Sequence, residues 1–444
     1  MSPDLVRALE PAWQEVIDAV LARRHAPSTR EAALLAPKLV ELSHAYNAGL
    51  AGDRAPDPGA ARGAGAKPAA ARVKVPLDAR IAFSFARDVP KGAGAVRELL
   101  DAGVLVAPSN RPFRIVDLGA GLGAMTWGIV RALSAHAARD GSGATATAPK
   151  PLSIDALLVD DDADALGAAE AIAREAAARP GPHAPVFALR TRAERLATGM
   201  KLPEADLVVL GQVLSELDVA MEPAERIAKH AALVADLLDR VVAPDGALVI
   251  VEPALRGRTR HLHAVRDVLV ERGSTVFAPC LHASRCPVLL TEGEWCHEDL
   301  PIDLPPWLVP LARAASLRFQ RLTFTYLVLR KDGQRLVDQI DHAPNASEPP
   351  RVHLRVISEL MRTKGKAEVF ACTAKGERAR LRRLDRDAAD AGPGAAASAA
   401  WAAIGRGDVL TVRTAGDATA SDLPIDERGR VGKSAQIDVW PIRK

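Results

Sequence analysis

A β-branched run, Phe113-Arg114-Ile115-Val116, leads straight into Asp117-Leu118-Gly119-Ala120-Gly121-Leu122-Gly123, and a helix-forming run, Thr126 to Ala138, follows. Three glycines at alternate positions let the backbone turn sharply and let a ligand approach the main chain closely. Few folds place such a loop between a buried strand and a helix. The pattern then repeats: strands are predicted over 154–162, 184–190, 205–212 and 247–253, with helices over 163–179, 224–243 and 262–273. Alternation of this kind predicts an α/β architecture with a parallel, doubly wound sheet. The segment 321–333, RLTFTYLVLRKDG, reads as a late antiparallel strand pair or hairpin edge.

A length of 444 residues is too great for one small core and predicts two domains with an appended helical piece. Apolar residues recur at helical spacing over 4–50, which predicts a helical N-terminal region. Residues 51–77 are rich in Gly, Pro and Ala and read as a flexible linker, and 142–150 as a flexible insert. The main domain is expected over 78–345. From 346 to 444 short candidate strands, separated by polar turns and an Ala/Gly-rich stretch at 388–400, predict a small β-rich, barrel-like C-terminal domain.

The acidic residue just before G-x-G-x-G distinguishes this loop from the dinucleotide pattern G-x-G-x-x-G and suits S-adenosylmethionine. Asp160, closing the second strand, is placed to accept hydrogen bonds from ribose hydroxyls. With Pro244-Asp245-Gly246 before strand five, these residues predict a Rossmann-like S-adenosylmethionine methyltransferase fold. The alternative is a loop that only makes a tight turn, with the acids starting a solvated helix. Gln212 and Glu216, after strand four, are candidates to line the cofactor pocket. The run 211–217 lacks the Asn/Asp-Pro-Pro-aromatic motif that grips a target amine, so catalytic residues stay unassigned.

All four cysteines, Cys280, Cys286, Cys296 and Cys372, fall in the C-terminal part, three of them within the segment 278–300. Four thiolates make a full ligand set for an iron–sulfur cluster or a structural zinc. His282 and His297 lie close enough in sequence to compete as zinc ligands. The plain alternative is that Cys280 and Cys372 are small buried hydrophobes. Clustered thiols fit a reducing cytoplasm, and a cytoplasmic monomer is expected. Neither a run of about 18 apolar residues nor a leader-like N-terminus is present, so no membrane partner is expected.

At this point several segments together resemble a known family. Residues 117–129, 211–218, 249–269 and the cysteine segment are similar to the ribosome-associated, methyltransferase-like family of the mitochondrial small ribosomal subunit and its bacterial relatives. The resemblance covers roughly 78–375. It implies a protein that binds the maturing small subunit and helps its assembly. It implies S-adenosylmethionine binding at Asp117, Gly119, Gly121 and Gly123, with Asp160. It also implies a 4Fe-4S cluster on the four cysteines. An active rRNA methyltransferase is the alternative, followed by a small-molecule or protein methyltransferase with structural zinc. The chain departs from the family's Tyr-x-Arg-Leu-Pro-like entry, reading Phe85-Ala86-Arg87-Asp88-Val89-Pro90 instead.

The formal charge of +3 argues for a nucleic-acid partner only through local clustering. Lys375, Arg378, Arg380, Arg382, Arg383 and Arg386 form one basic group, and Arg256, Arg258 and Arg260 another. Both are candidates for phosphate contact with rRNA, or else solvated faces balanced by nearby acids.

Overall fold

The computed structural model describes residues 5–48, 76–140, 152–180, 184–317, 319, 321–340, 351–387, 393–414 and 424–440. The expected insert at 142–150, and all but the last two residues of the expected linker, lie outside them.

Two helices open the chain, α1 (Trp13–Arg23) and α2 (Ala32–Ala48). A short α3 (Leu77–Ala79) passes through a π-helical turn at 80–84 into α4 (Phe85–Asp101). The alternating unit follows: β1 (Phe113–Leu118), α5 (Ala124–Asp140), β2 (Ser153–Asp160), α6 (Ala163–Ala177), β3 (Val186–Ala193), β4 (Ala205–Gly211), α7 (Pro223–Arg240), β5 (Val242–Glu252), α8 (Arg256–Glu271) and β6 (Thr275–Ala278). Then come β7 (Glu298–Leu300), α9 (Val309–Ala314), β8 (Leu322–Arg330) and α10 (Leu336–Ile340).

The strand order is β3-β2-β1-β4-β5-β8-β6, with β7 paired to β8. The first five strands are parallel, and β8 runs antiparallel to both its neighbours. Together these strands form the Rossmann-like methyltransferase fold. Side chains alternate between the two faces because the strand period is two. Phe113, Ile115, Leu207 and Val209 join one core with α4 and α5, whereas Val116, Leu118, Val208 and Leu210 join another with α7 and α8. Both faces are covered, so the strands read as continuous apolar runs.

The expected hairpin edge is wrong in one respect: β8 is an interior strand, wedged between β5 and β6 and buried along nearly all its length. α4 crosses α5 at close range, since a Cβ on Gly92 would strike the Met125 carbonyl and one on Gly128 the Val89 carbonyl.

The C-terminal part holds β9 (Arg351–Val356), β10 (Met361–Thr363), β11 (Lys366–Thr373), β12 (Arg378–Leu384), α11 (Pro393–Ala402), β13 (Val409–Arg413) and β14 (Gln436–Trp440). These strands form a separate antiparallel sheet, order β10-β11-β9-β13-β14, with β12 on β11. Its core of Leu354, Val369, Leu381 and Leu410 packs on Trp401 of α11, so part of the expected Ala/Gly stretch is a core helix. No helix among the described residues is long and apolar enough to cross a membrane.

A buried ion network joins the two sheets. Arg355 of β9 bonds Glu98 of α4 at 2.6 Å, Tyr326 of β8 donates to the same carboxylate at 2.7 Å, and Arg97 pairs with Glu298 of β7. All these groups are buried.

Candidate cofactor and cysteine sites

The glycine loop leaves β1 in the conformation its sequence dictates. Gly119, Gly121 and Gly123 have φ of 67°, 52° and 75°, which L side chains rarely adopt. A Cβ at Gly119 would meet Val213, and one at Gly123 would meet Leu158 at 2.8 Å. The Asp160 carboxylate anchors the loop, accepting from the Gly121 N–H at 2.8 Å and the Asp162 N–H at 2.9 Å. Asp162 caps α6 and is bridged by Arg80 Nη1 at 2.9 Å. Nothing in the sequence pattern pointed to Arg80, whose guanidinium reaches back over the Gly121 position.

Asp117 lies at the floor of this loop and is buried. Thr126 donates to one of its oxygens at 2.7 Å, while Oδ1 has no partner. Burial pushes its carboxyl up to about 7, against the Thr126 hydrogen bonds and with a further small rise from Asp160.

Gln212, the first residue past β4, is left-handed at φ 62° and donates from Nε2 to Asp88 at 3.2 Å. A left-handed non-glycine residue stores strain and tends to mark a functional turn. Asp88 also holds Arg87 at 2.9 Å and Lys91 at 2.8 Å. Burial opposes its charge, but these two cations outweigh burial and hold the carboxyl below its usual range. The divergent run 85–90 is therefore the start of α4, and it brings Asp88 to the end of β4. Nearby, Glu252 ends β5 almost wholly buried.

Side chains of one helix hold much of the cysteine segment. From α8, Arg260 donates to the carbonyls of Val288, Leu289, Thr291 and Glu294 at 2.8–3.2 Å. His263 Nε2 lies 3.2 Å from the Cys296 carbonyl. Arg266 donates to His282 O at 2.6 Å, and both Asp267 oxygens accept from the Cys286 N–H at 3.0 Å. Arg260 is thus a brace for the segment, a correction to its reading as a phosphate contact. A five-donor guanidinium suits this role, since it can gather several carbonyls at once.

Cys372 sits on β11 of the second sheet and meets the segment from the other side. Cys286 and Cys372 share an apolar cluster, with Cys296 packed against it. Burial first, then the neighbouring thiols, pushes Cys286 and Cys372 up to about 12 and Cys296 well above its ordinary value. The four thiols are therefore within electrostatic reach of one another. Arg266, Arg355 and Arg378 bring positive charge to them. Among the described residues no group of three His, Cys, Asp or Glu side chains is arranged to hold a metal ion. His282 and His297, the competing candidates, are pushed down to about 4 by burial; His282 Nδ1 lies 3.1 Å from Ser284 O, and His297 stacks on Trp295.

The basic run is mostly the strand β12, which the sequence reading missed. Arg378 bonds Glu294 and Arg380 bonds Glu368, at 2.6 and 2.9 Å. Arg383 is buried, donating to the Asp387 carbonyl. Only Lys375, Arg380 and Arg386 of the group are exposed.

No curated protein matches the chain. Among solved structures, magnesium protoporphyrin IX methyltransferase from Synechocystis PCC 6803, with bound S-adenosylmethionine, is 15% identical. The match spans 56% of this chain and 84% of that one, with a TM-score of 0.27. A putative class I S-adenosylmethionine-dependent methyltransferase from Listeria monocytogenes is 14% identical over 58% of this chain and 63% of that one, with a TM-score of 0.31. Scores of this size leave the strand order as the ground for the fold. A family model described as mitochondrial small ribosomal subunit Rsm22 matches residues 78–401. The chain belongs to the Rsm22 family.

Proposed function

We propose that this chain is an S-adenosylmethionine-binding, methyltransferase-like protein that carries a 4Fe-4S cluster on Cys280, Cys286, Cys296 and Cys372 and acts in small-subunit assembly by binding rRNA. The observation that carries this reading is that Cys286 of the loop after β6 and Cys372 of β11 share one apolar cluster with Cys296 against it, and that Cys280 and three arginines lie within electrostatic reach of them. The donor set fits a cluster: all four ligands are sulfur, and the surrounding guanidinium groups offset an anionic centre. When bound, such a cluster supplies a redox-active link between the sheets. Around it, α8 fixes the ligand loop through the backbone, and the buried thiols must release protons on loading.

The cofactor reading rests on the loop. Its glycines adopt the positive φ values that the turn needs, and the unpartnered Asp117 Oδ1 is an acceptor ready for the ammonium of a methionine moiety. Asp160 keeps lone pairs for a ribose hydroxyl beyond the two N–H groups it accepts. Gln212 stands at the end of β4, its side-chain amide donating to Asp88. Lys375, Arg380 and Arg386 offer phosphate contacts. An active rRNA methyltransferase is the second reading, favoured by the buried polar group at the ends of β4 and β5.

The test is anaerobic purification with an absorption spectrum and iron, sulfide and zinc analysis, alongside salt-dependent binding to small-subunit RNA. About four irons per chain, lost in Cys286→Ser, is the expected result. One tightly bound zinc ion would replace the cluster by the structural-metal alternative. A metal-free protein that ignores the RNA would refute the proposal.

A further inference from the structure

The carboxyl ends of β4 and β5 hold a set of polar groups that the cofactor loop does not use. The two strands are adjacent, Gly211 pairing with Val251, and the Gln212 N–H bonds the Val251 carbonyl at 2.7 Å. Directly beyond that pair stands Glu252, 1% exposed. Its Oε1 accepts from the Ser215 N–H at 3.3 Å. Its Oε2 has no hydrogen-bond partner, and neither has Ser215 Oγ. The hydroxyl lies close enough to favour the carboxylate, yet it forms no well-directed bond to it. A buried carboxylate oxygen without a donor is costly, and such groups in native sites commonly await a ligand. In open α/β sheets ligands bind just outside the carboxyl ends of the strands, where these atoms lie.

We propose that Glu252 and Ser215 form a methyl-acceptor subsite for a proton-bearing nitrogen or hydroxyl, and that Glu252 Oε2 takes up the acceptor's proton during methyl transfer. The inference rests on the cofactor reading above and on the second reading, that of an active methyltransferase. The acceptor's lone pair forms a bond to the methyl carbon as the carbon–sulfur bond breaks. The bonding pair goes to sulfur, which becomes the neutral thioether of S-adenosylhomocysteine. The proton lost by the acceptor goes to Glu252, and no further reactant is needed.

The surroundings suit that task. Lys91 approaches Glu252 from α4, but Asp88 already holds its ammonium at 2.8 Å. Arg226 of α7 and Arg258 of α8 are within electrostatic reach. Burial nevertheless dominates and pushes the Glu252 carboxyl up to about 7, against the pull of Ser215, Arg258 and the Leu214 N–H. A base poised there can both accept and return a proton near neutrality.

Sinefungin, an S-adenosylmethionine analogue with an amine-bearing carbon in place of the methylated sulfur, probes the subsite without turnover. Binding of sinefungin and of S-adenosylhomocysteine is measured by calorimetry for the intact wild-type chain, Glu252→Gln and Ser215→Ala. Wild type should prefer sinefungin by about tenfold or more, as a charge-assisted bond warrants. Glu252→Gln should lose that preference while S-adenosylhomocysteine affinity stays within about twofold. Ser215→Ala should show a smaller loss, which keeps the test decisive if the glutamine variant folds poorly. A preference that survives in both variants, or is absent from a wild type that binds S-adenosylhomocysteine, overturns the subsite. A wild type that binds neither compound overturns the cofactor reading itself.

Discussion

Replacing Asp117 by Asn should stabilise the ligand-free protein at neutral pH while removing its cofactor affinity. In the folded chain burial raises the Asp117 carboxyl from 3.8 to about 7. The folded state therefore holds this proton more tightly than the unfolded chain does. Its contribution is fully present below about pH 4 and is lost as the pH rises through 7, because the buried group must then ionise. A shift of about three pKa units corresponds to roughly 4 kcal/mol at pH 8. Asparagine cannot ionise, and its side-chain carbonyl can still accept from Thr126. The difference in unfolding free energy between the Asp117→Asn variant and the wild-type protein should thus grow from near zero at pH 4 to a plateau of a few kcal/mol above pH 7. Urea unfolding at half-unit pH steps measures it, and other titrating groups cancel in the difference. Parallel stability profiles across this range would refute the assignment of a buried, uncompensated carboxyl. So would undiminished S-adenosylhomocysteine binding in the Asp117→Asn protein.

The remaining predictions concern the cysteine segment and the second sheet. Arg260→Ala should release the loop 288–294 and lower bound metal several-fold, measured by iron and zinc analysis, and Arg260→Lys should not restore it, because an ammonium lacks the guanidinium fork. Arg355→Met should lower stability by about 3–5 kcal/mol, because it leaves Glu98 buried beside Arg97 without its 2.6 Å partner; thermal unfolding checks this. Lys375→Glu with Arg386→Glu should weaken small-subunit RNA binding and reduce its salt slope by about two. Arg383→Ala should instead lower the melting temperature, since that side chain is buried.

The parallel sheet and the glycine loop were legible because local sequence dictates them: apolar runs buried on both faces, and three glycines with positive φ. The place of β8 was not, because an antiparallel strand returning from residue 322 finds its neighbours through tertiary packing. The strand β12 was masked by its charge. Its alternation of Ala379, Leu381 and Arg383 with Arg378, Arg380 and Arg382 carries the strand period, and Leu381 points into the core. Asp88 escaped notice for a different reason: its place beside Gln212 at the end of β4 depends on how α4 packs, and α4 lies hard against α5 through Gly92 and Gly128. The cysteines could be counted in the sequence, but the α8 side chains that fasten them by the backbone could not be inferred from spacing.

The helix α8 begins four residues after Glu252 and ends beside Cys286's anchor, Asp267. Its sixteen residues form a rod of about 24 Å. A rod moves as a unit, so a shift at its first turn displaces the braces at its middle and end. Any factor by which an occupied pocket at β5 tightens the grip on metal must then reappear, equal in size, as the factor by which metal tightens the pocket. Measuring either affinity with the other site filled and empty would give both.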